Sequence, residues 1–173
     1  MSWPNKEDRE KLEINGFIEH YSRLPEGMRF KVVSRNEKPD YVVSCNESGT
    51  EYGIELTSGY LSDRSVPDDH IPSLEGPYEI VDLPFNRTDH ELYKVRLLEA
   101  IIAKIKKALM GYDCTRPLIL SIYANEYTSI FLKQEELEQW VKSNESVFDN
   151  MHPFSEIVLW SLPNGGVFRI RPS

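Results

Sequence analysis

The run Pro117-Leu118-Ile119-Leu120-Ser121-Ile122-Tyr123 is the feature that most limits the folds open to this chain. It has the length of a strand and almost no polar interruption, so neither face of it can look into water. Such a strand lies in the middle of a sheet with both faces covered. The chain supplies helices to flank it. From Lys6 to about Arg23, Ile14, Phe17, Ile18 and Tyr21 recur at helical spacing until Pro25-Glu26-Gly27 stops the pattern. A second helix is expected from His90 to about Met110, capped by Asp89 and ended by Gly111, with Leu98, Ile101, Ile102, Ile105 and Leu109 as its apolar stripe. Gln134 to about Ser143 makes a third.

The other strands are short. Met28 to Ser34 reads as one, interrupted by Asn36-Glu37-Lys38-Pro39. Tyr41 to Cys45 and Glu51 to Leu56 flank Asn46-Glu47-Ser48-Gly49, four turn formers with Gly where a left-handed backbone is expected, so these two strands form a hairpin. Ile157 to Trp160 and Val167 to Ile170 follow, joined by the turn Asn164-Gly165-Gly166. Ser58 to Asp89 reads as a long loop rich in Ser, Asp, Pro and Gly, broken by the apolar stretch Tyr78 to Val81. A chain of 173 residues with 40% hydrophobic content can bury one core, and the expectation is a single α/β domain over residues 1–173 with a central mixed sheet flanked by helices. No apolar stretch is long enough to span a bilayer and the start lacks the apolar core of a signal peptide, which points to a cytoplasmic protein. Cys45 and Cys114 make neither a disulfide framework nor a zinc site.

The hairpin carries the chemistry. If it closes with Cys45 facing Thr50, antiparallel pairing brings Asp40 opposite Glu55, with Val42 opposite Gly53 as the next pair on the same face and space there for a ligand. Directly opposed side chains have Cβ atoms roughly 4.5 to 5.5 Å apart, so two carboxylates there repel unless a cation lies between them. One or two carboxylates completed by water and substrate phosphate suit Mg²⁺ or Mn²⁺. Taken singly, a strand Glu is often solvent-facing and Pro-Asp is a common turn dipeptide. Glu55, however, stands between Ile54 and Leu56 in a strand that reads as buried, where an unpaired charge is costly.

Helix, strand, Lys38-Pro39-Asp40, hairpin, Gly53-Ile54-Glu55, helix, apolar strand is an order that resembles the PD-(D/E)XK nuclease superfamily, which includes restriction and repair endonucleases; the similarity covers about residues 6 to 125. The resemblance implies a restriction-endonuclease-like core in which Asp40 and Glu55 bind Mg²⁺ and a Lys two positions after the second acid orients or activates the attacking water. Thr57 stands where that Lys belongs, on the face of Glu55 but without a positive charge. Some branches of the superfamily supply the Lys from the helix after the hairpin. On that helix Lys104 lies at the margin of the apolar stripe, with reach around to the sheet; Lys94 and Lys106 are reserves, and Lys107 points away from the stripe. A boundary lysine that merely snorkels is the competing reading of Lys104. The superfamily often adds a Glu from the first helix, for which Glu10 and Glu13 are the candidates and ordinary surface glutamates the alternative; Glu37 is a further one.

Composition cuts the other way. A net charge of -8 disfavours nonspecific adhesion to nucleic acid, although Lys94, Arg96, Lys104, Lys106 and Lys107 cluster in one segment. The four histidines have no His-Glu-x-x-His spacing, Asp68-Asp69-His70 reads as a solvated loop cluster, and no Gly-rich phosphate loop or Gly-x-Ser-x-Gly elbow occurs. Trp140 and Trp160 read as core. The leading expectation is a Mg²⁺-dependent phosphodiesterase acting on nucleic acid, DNA above all. The rival is a nuclease-fold module without catalysis that binds a protein or nucleic-acid partner, which Thr57 and the acidic charge favour. A third is a nuclease subunit or effector that acts with a separate targeting protein.

Overall fold

A computed structural model describes residues 5–59, 87–124, 133–162 and 165–173. Most of the expected loop from Ser58 to Asp89, with Asp68-Asp69-His70 and Tyr78 to Val81 in it, lies outside the described residues, as does Asn164 of the last turn. The elements in chain order are α1 (Lys6–Ser22), β1 (Phe30–Arg35), β2 (Tyr41–Cys45), β3 (Glu51–Gly59), α2 (Arg87–Leu109), β4 (Leu118–Ala124), α3 (Gln134–Ser143), α4 (Glu145–Phe148), β5 (Phe154–Leu162) and β6 (Gly166–Ile170). The strands form one six-stranded sheet in the order β1-β2-β3-β4-β5-β6. β1 is antiparallel to β2 and β2 to β3, β3, β4 and β5 are parallel, and β6 turns back antiparallel on β5. The fold is thus α/β with a mixed sheet between helices.

The apolar run of β4 sits near the middle of that sheet, and its two faces go to two different cores. Leu118, Leu120, Ile122 and Ala124 pack with α2, α3 and α4 through Tyr93, Leu97, Ile101, Ile105, Trp140 and Phe148. Ile119 faces Ile14, Phe17 and Tyr21 of α1, joined there by Tyr41, Val43, Ile54, Leu56 and Trp160. Period-two alternation along one strand therefore cements a helix layer onto each side. Ser121 accepts a hydrogen bond from the Trp160 indole at 2.8 Å, so neither buried polar group is orphaned, and Trp140 and Trp160 are both core residues.

Local chemistry sets the element ends. The Asn5 side chain accepts from the Asp8 amide at 2.8 Å and caps α1. α2 starts at Arg87, so Asp89 lies inside the helix and is not its cap. Its buried stripe is Tyr93, Leu97, Ile101, Ile105 and Ala108, with Leu98 partly covered, while Leu109 is 59% exposed and drops out of it. The four-residue spacing runs on past the helix to Tyr112, whose amide still bonds the Ala108 carbonyl at 3.2 Å. β1 begins two residues later than the sequence suggests and carries a bulge between Val32 and Ser34. Among the described residues no helix is long and apolar enough to cross a membrane.

One buried charge is purely structural in its partners. Glu156 on β5 accepts from the Tyr21 hydroxyl at 2.6 Å and from Arg171 at 2.7 Å, which ties α1 and the C-terminal residues to the sheet. Burial and that carboxylate push the Tyr21 phenol up to about 12.

The hairpin closes in the expected register. Cys45 donates its amide to the Thr50 carbonyl at 2.9 Å, Gly49 takes φ 73°, and the ladder runs Ser44–Glu51, Val43–Tyr52, Val42–Gly53, Tyr41–Ile54. Gly53 does not leave room for a ligand, however. A Cβ built there meets Leu118 Cδ2 at 2.5 Å and Pro39 Cγ at 2.7 Å, so the missing side chain admits the Pro39 ring that precedes Asp40. Gly53→Ala is expected to lower stability by about 1–3 kcal/mol, the usual cost of overpacking, and to displace Asp40. Denaturant unfolding checks it: a midpoint equal to that of the parent contradicts this packing.

Candidate active site

The β2–β3 ladder ends at Tyr41–Ile54, and β3 runs on to Gly59 paired with β4. Where β2 parts from β3 a cleft of about 310 Å³ opens. The first two turns of α1 border it with Lys6, Arg9, Glu10 and Glu13, the helical i, i+3, i+4, i+7 face that continues inward as the apolar residues of α1. α2 borders it with Lys104 and Lys107, and the hairpin with Asp40, Glu55 and Thr57.

Asp40 stands at the mouth of the departing strand. Its Oδ2 accepts from the Leu56 amide at 2.8 Å, a carboxylate taking the place of the next ladder partner on that edge. Its backbone carbonyl accepts from Asn36, closing the β1–β2 turn at 2.7 Å. Both ends of the residue are fixed, and its carboxyl lies against Glu55.

Glu55 is 2% exposed. Its Oε2 accepts from Lys104 Nζ at 3.0 Å and from the Tyr112 hydroxyl. Its Oε1 is buried with no hydrogen-bond donor among the described residues. Asp40 lies against Glu55 as a second carboxyl, which is a donor only when protonated. Burial, then the hydrogen bond and charge of Glu55, push the Asp40 carboxyl up to about 8, against the Leu56 amide and Lys104, which hold it down. Burial also works to raise Glu55, but Asp40, the Lys104 ammonium and Tyr112 together bring it below the ordinary value. The pair therefore carries one charge too many for its surroundings, and a proton or a cation has to relieve it.

Of the two α1 glutamates, only one is available. Glu10 Oε2 takes the Arg35 guanidinium at 2.9 and 3.1 Å, and Lys6 lies 3.7 Å from its other oxygen. Glu13 accepts from Ser58 Oγ at 3.0 Å; burial raises its carboxyl, helped by Glu10 and opposed by Ser58, Arg9 and Lys104. Glu37 borders the cleft on its exposed side.

Among the lysines, Lys104 reaches Glu55, Lys94 is paired with Glu91 at 3.0 Å, and Lys106 is exposed outside the cleft. Lys107 lines the cleft, contrary to the expectation from the apolar stripe. That stripe runs through Ile101, Ile105 and Ala108, and not Leu109, which turns the helix enough to bring Lys107 round. Tyr112 was missed altogether because Gly111 ends the helical pattern before it; the spacing from Ala108 was the available signal.

Among the described residues no three His, Cys, Asp or Glu side chains form a complete metal-ligand set. The site offers two carboxylates, one of them with a buried oxygen in want of a positive partner. That donor set fits a hard divalent ion that keeps water and substrate oxygens in its remaining positions, as Mg²⁺ and Mn²⁺ do. Comparison of the chain with protein-family models, with curated proteins and with solved structures returns no match. Geometry alone then defines the class: a mixed-sheet α/β protein with a carboxylate pair, a lysine and a tyrosine gathered in a cleft at the fork of a hairpin.

Proposed function

We propose that this protein is a metal-dependent nuclease with a restriction-endonuclease-like core, hydrolysing phosphodiester bonds in DNA. Asp40 and Glu55 are the residues that would hold Mg²⁺ or Mn²⁺, with Glu13 bordering the same cleft. Lys104, carried on α2, takes the role of the lysine that Thr57 replaces. The observation that carries this reading is the 3.0 Å contact of Lys104 Nζ with a buried Glu55 whose second oxygen lacks a donor.

A cation held by Asp40 and Glu55 would supply Lewis-acid polarisation of the phosphate and lower the pKa of water. The chain does the rest. Lys104 and Tyr112 both hold Glu55 Oε2, which restrains the carboxylate and leaves Oε1 for the cation. Lys104 has further N–H bonds to give; it orients the water that attacks phosphorus and offsets the negative charge that grows on the phosphoryl oxygens. As water adds, the P–O bond to the departing sugar breaks, leaving an alcohol and a phosphomonoester. Thr57 stays beside Glu55 as an uncharged wall of the cleft.

Incubation of labelled DNA with the protein tests this. Cleavage is expected with Mg²⁺, to stop with EDTA, and to be absent from Asp40→Asn and Glu55→Gln proteins that still fold. Equal cleavage by those variants sinks the assignment. A folded protein with no cleavage and no Mn²⁺ binding leaves the non-catalytic binding module in its place.

A further inference from the structure

Phosphate recognition depends on cations that are not already neutralised, because each one that replaces a counterion contributes to binding and to its salt dependence. By that measure the basic segment of α2 shrinks sharply. Lys94 is paired with Glu91 at 3.0 Å, Arg96 with Glu99 at 3.7 Å, and Lys104 is engaged by Glu55, which leaves Lys106, outside the cleft, and Lys107. On α1, Lys6 and Lys11 pair with Glu10 and Glu7. Two cations in the cleft stay free of ion pairs among the described residues: Arg9 on α1 and Lys107 on α2. Arg9 Nε is enclosed with no acceptor among the described residues, so no protein carboxylate holds its guanidinium.

The two stand on helices from opposite faces of the sheet, one on each wall of the cleft that holds Asp40 and Glu55. Residues 60–86 offer no phosphate-binding composition, with six acidic residues against Arg64 alone. A duplex is ordinarily gripped through roughly 6–10 phosphates. A cleft of about 310 Å³ with two free cations matches a much smaller footprint.

We propose that Arg9 and Lys107 are phosphate-holding arms, one phosphate each, and that the substrate is a short single-stranded stretch of nucleic acid and not a duplex. This rests on the nuclease reading for the identity of the cleft, but it is a statement about binding and is tested without turnover. The probe is a dye-labelled single-stranded thymidine oligonucleotide, followed by fluorescence anisotropy in Ca²⁺ and again in EDTA, from about 50 to 300 mM KCl. Two phosphate contacts predict a slope of log K against log salt of about -1.4. Arg9→Met, which keeps the stem packing, and Lys107→Ala should each flatten that slope by about 0.7. A duplex of the same length should bind no tighter than the strand. The proposal is overturned by a slope of about -4 or steeper, by tighter duplex binding, by slopes unchanged in both variants, or by no binding at the lowest salt. Binding with the predicted slope in a protein that never cleaves counts against the nuclease reading alone.

Discussion

Asp40→Asn should make the metal-free protein more stable, by roughly 1–2 kcal/mol or about 3–6 °C in melting midpoint, while abolishing metal-dependent cleavage. The asparagine Oδ1 still accepts from the Leu56 amide, and its Nδ2 becomes a donor beside a Glu55 oxygen that has none. Nor does the asparagine have to take up a proton on folding, as an Asp40 carboxyl pushed up to about 8 must at neutral pH. With Mn²⁺ present the order should reverse, since only the parent gains stability from a ligand that binds the folded state. A variant less stable than the parent without metal contradicts the claim that the pair is strained for function. Equal gains from Mn²⁺ in both proteins contradict the claim that Asp40 is a ligand.

Lys104→Ala should lower kcat by about 10²–10³-fold, the cost typical of one transition-state donor, with a smaller effect on metal affinity. Tyr112 remains on Glu55 Oε2 in that variant, so the carboxylate keeps a partner and the fold is expected to survive. Adding Thr57→Lys should then recover part of the lost rate. Position 57 is on the same face of β3 as Glu55 and borders the same cleft, so a long side chain there reaches the position Lys104 vacates. Rescue by Thr57→Lys separates a catalytic lysine from a packing one, because a packing loss at α2 has no reason to be repaired from β3. If Lys94 or Lys106 substitutions lower turnover instead, the lysine has been misassigned.

Much of this site was legible in the sequence because the hairpin fixes its own register. Four turn residues between two short strands decide which residues oppose each other; the ladder follows that count as far as Tyr41–Ile54, and Asp40, one residue beyond it, bonds the Leu56 amide with its carboxyl against Glu55 instead of forming the next ladder pair. The β4 run was equally plain, since uninterrupted apolarity admits few other placements. What failed were features set by contacts distant in sequence. The face of α2 was misjudged by including Leu109 and omitting Tyr93 and Leu97, because several apolar stripes can be drawn on a helix this rich in Leu and Ile, and only the sheet beneath it selects one. Lys107 was misplaced with it. Glu10 was weighed equally with Glu13, and nothing local to α1 reveals that Arg35, on the edge strand, claims it. The small residue at Gly53 was read as space for a ligand, whereas Pro39 fills it.

Mn²⁺ titration followed by calorimetry tests the central claim most directly. One ion per chain should bind to the parent, and Asp40→Asn or Glu55→Gln should weaken it by at least about 100-fold, since even outer-shell changes cost 10–100-fold. Lys104→Ala should leave the stoichiometry intact. A parent that binds no Mn²⁺, or variants that bind the ion as well as the parent with either carboxylate replaced, contradict a metal site built on Asp40 and Glu55.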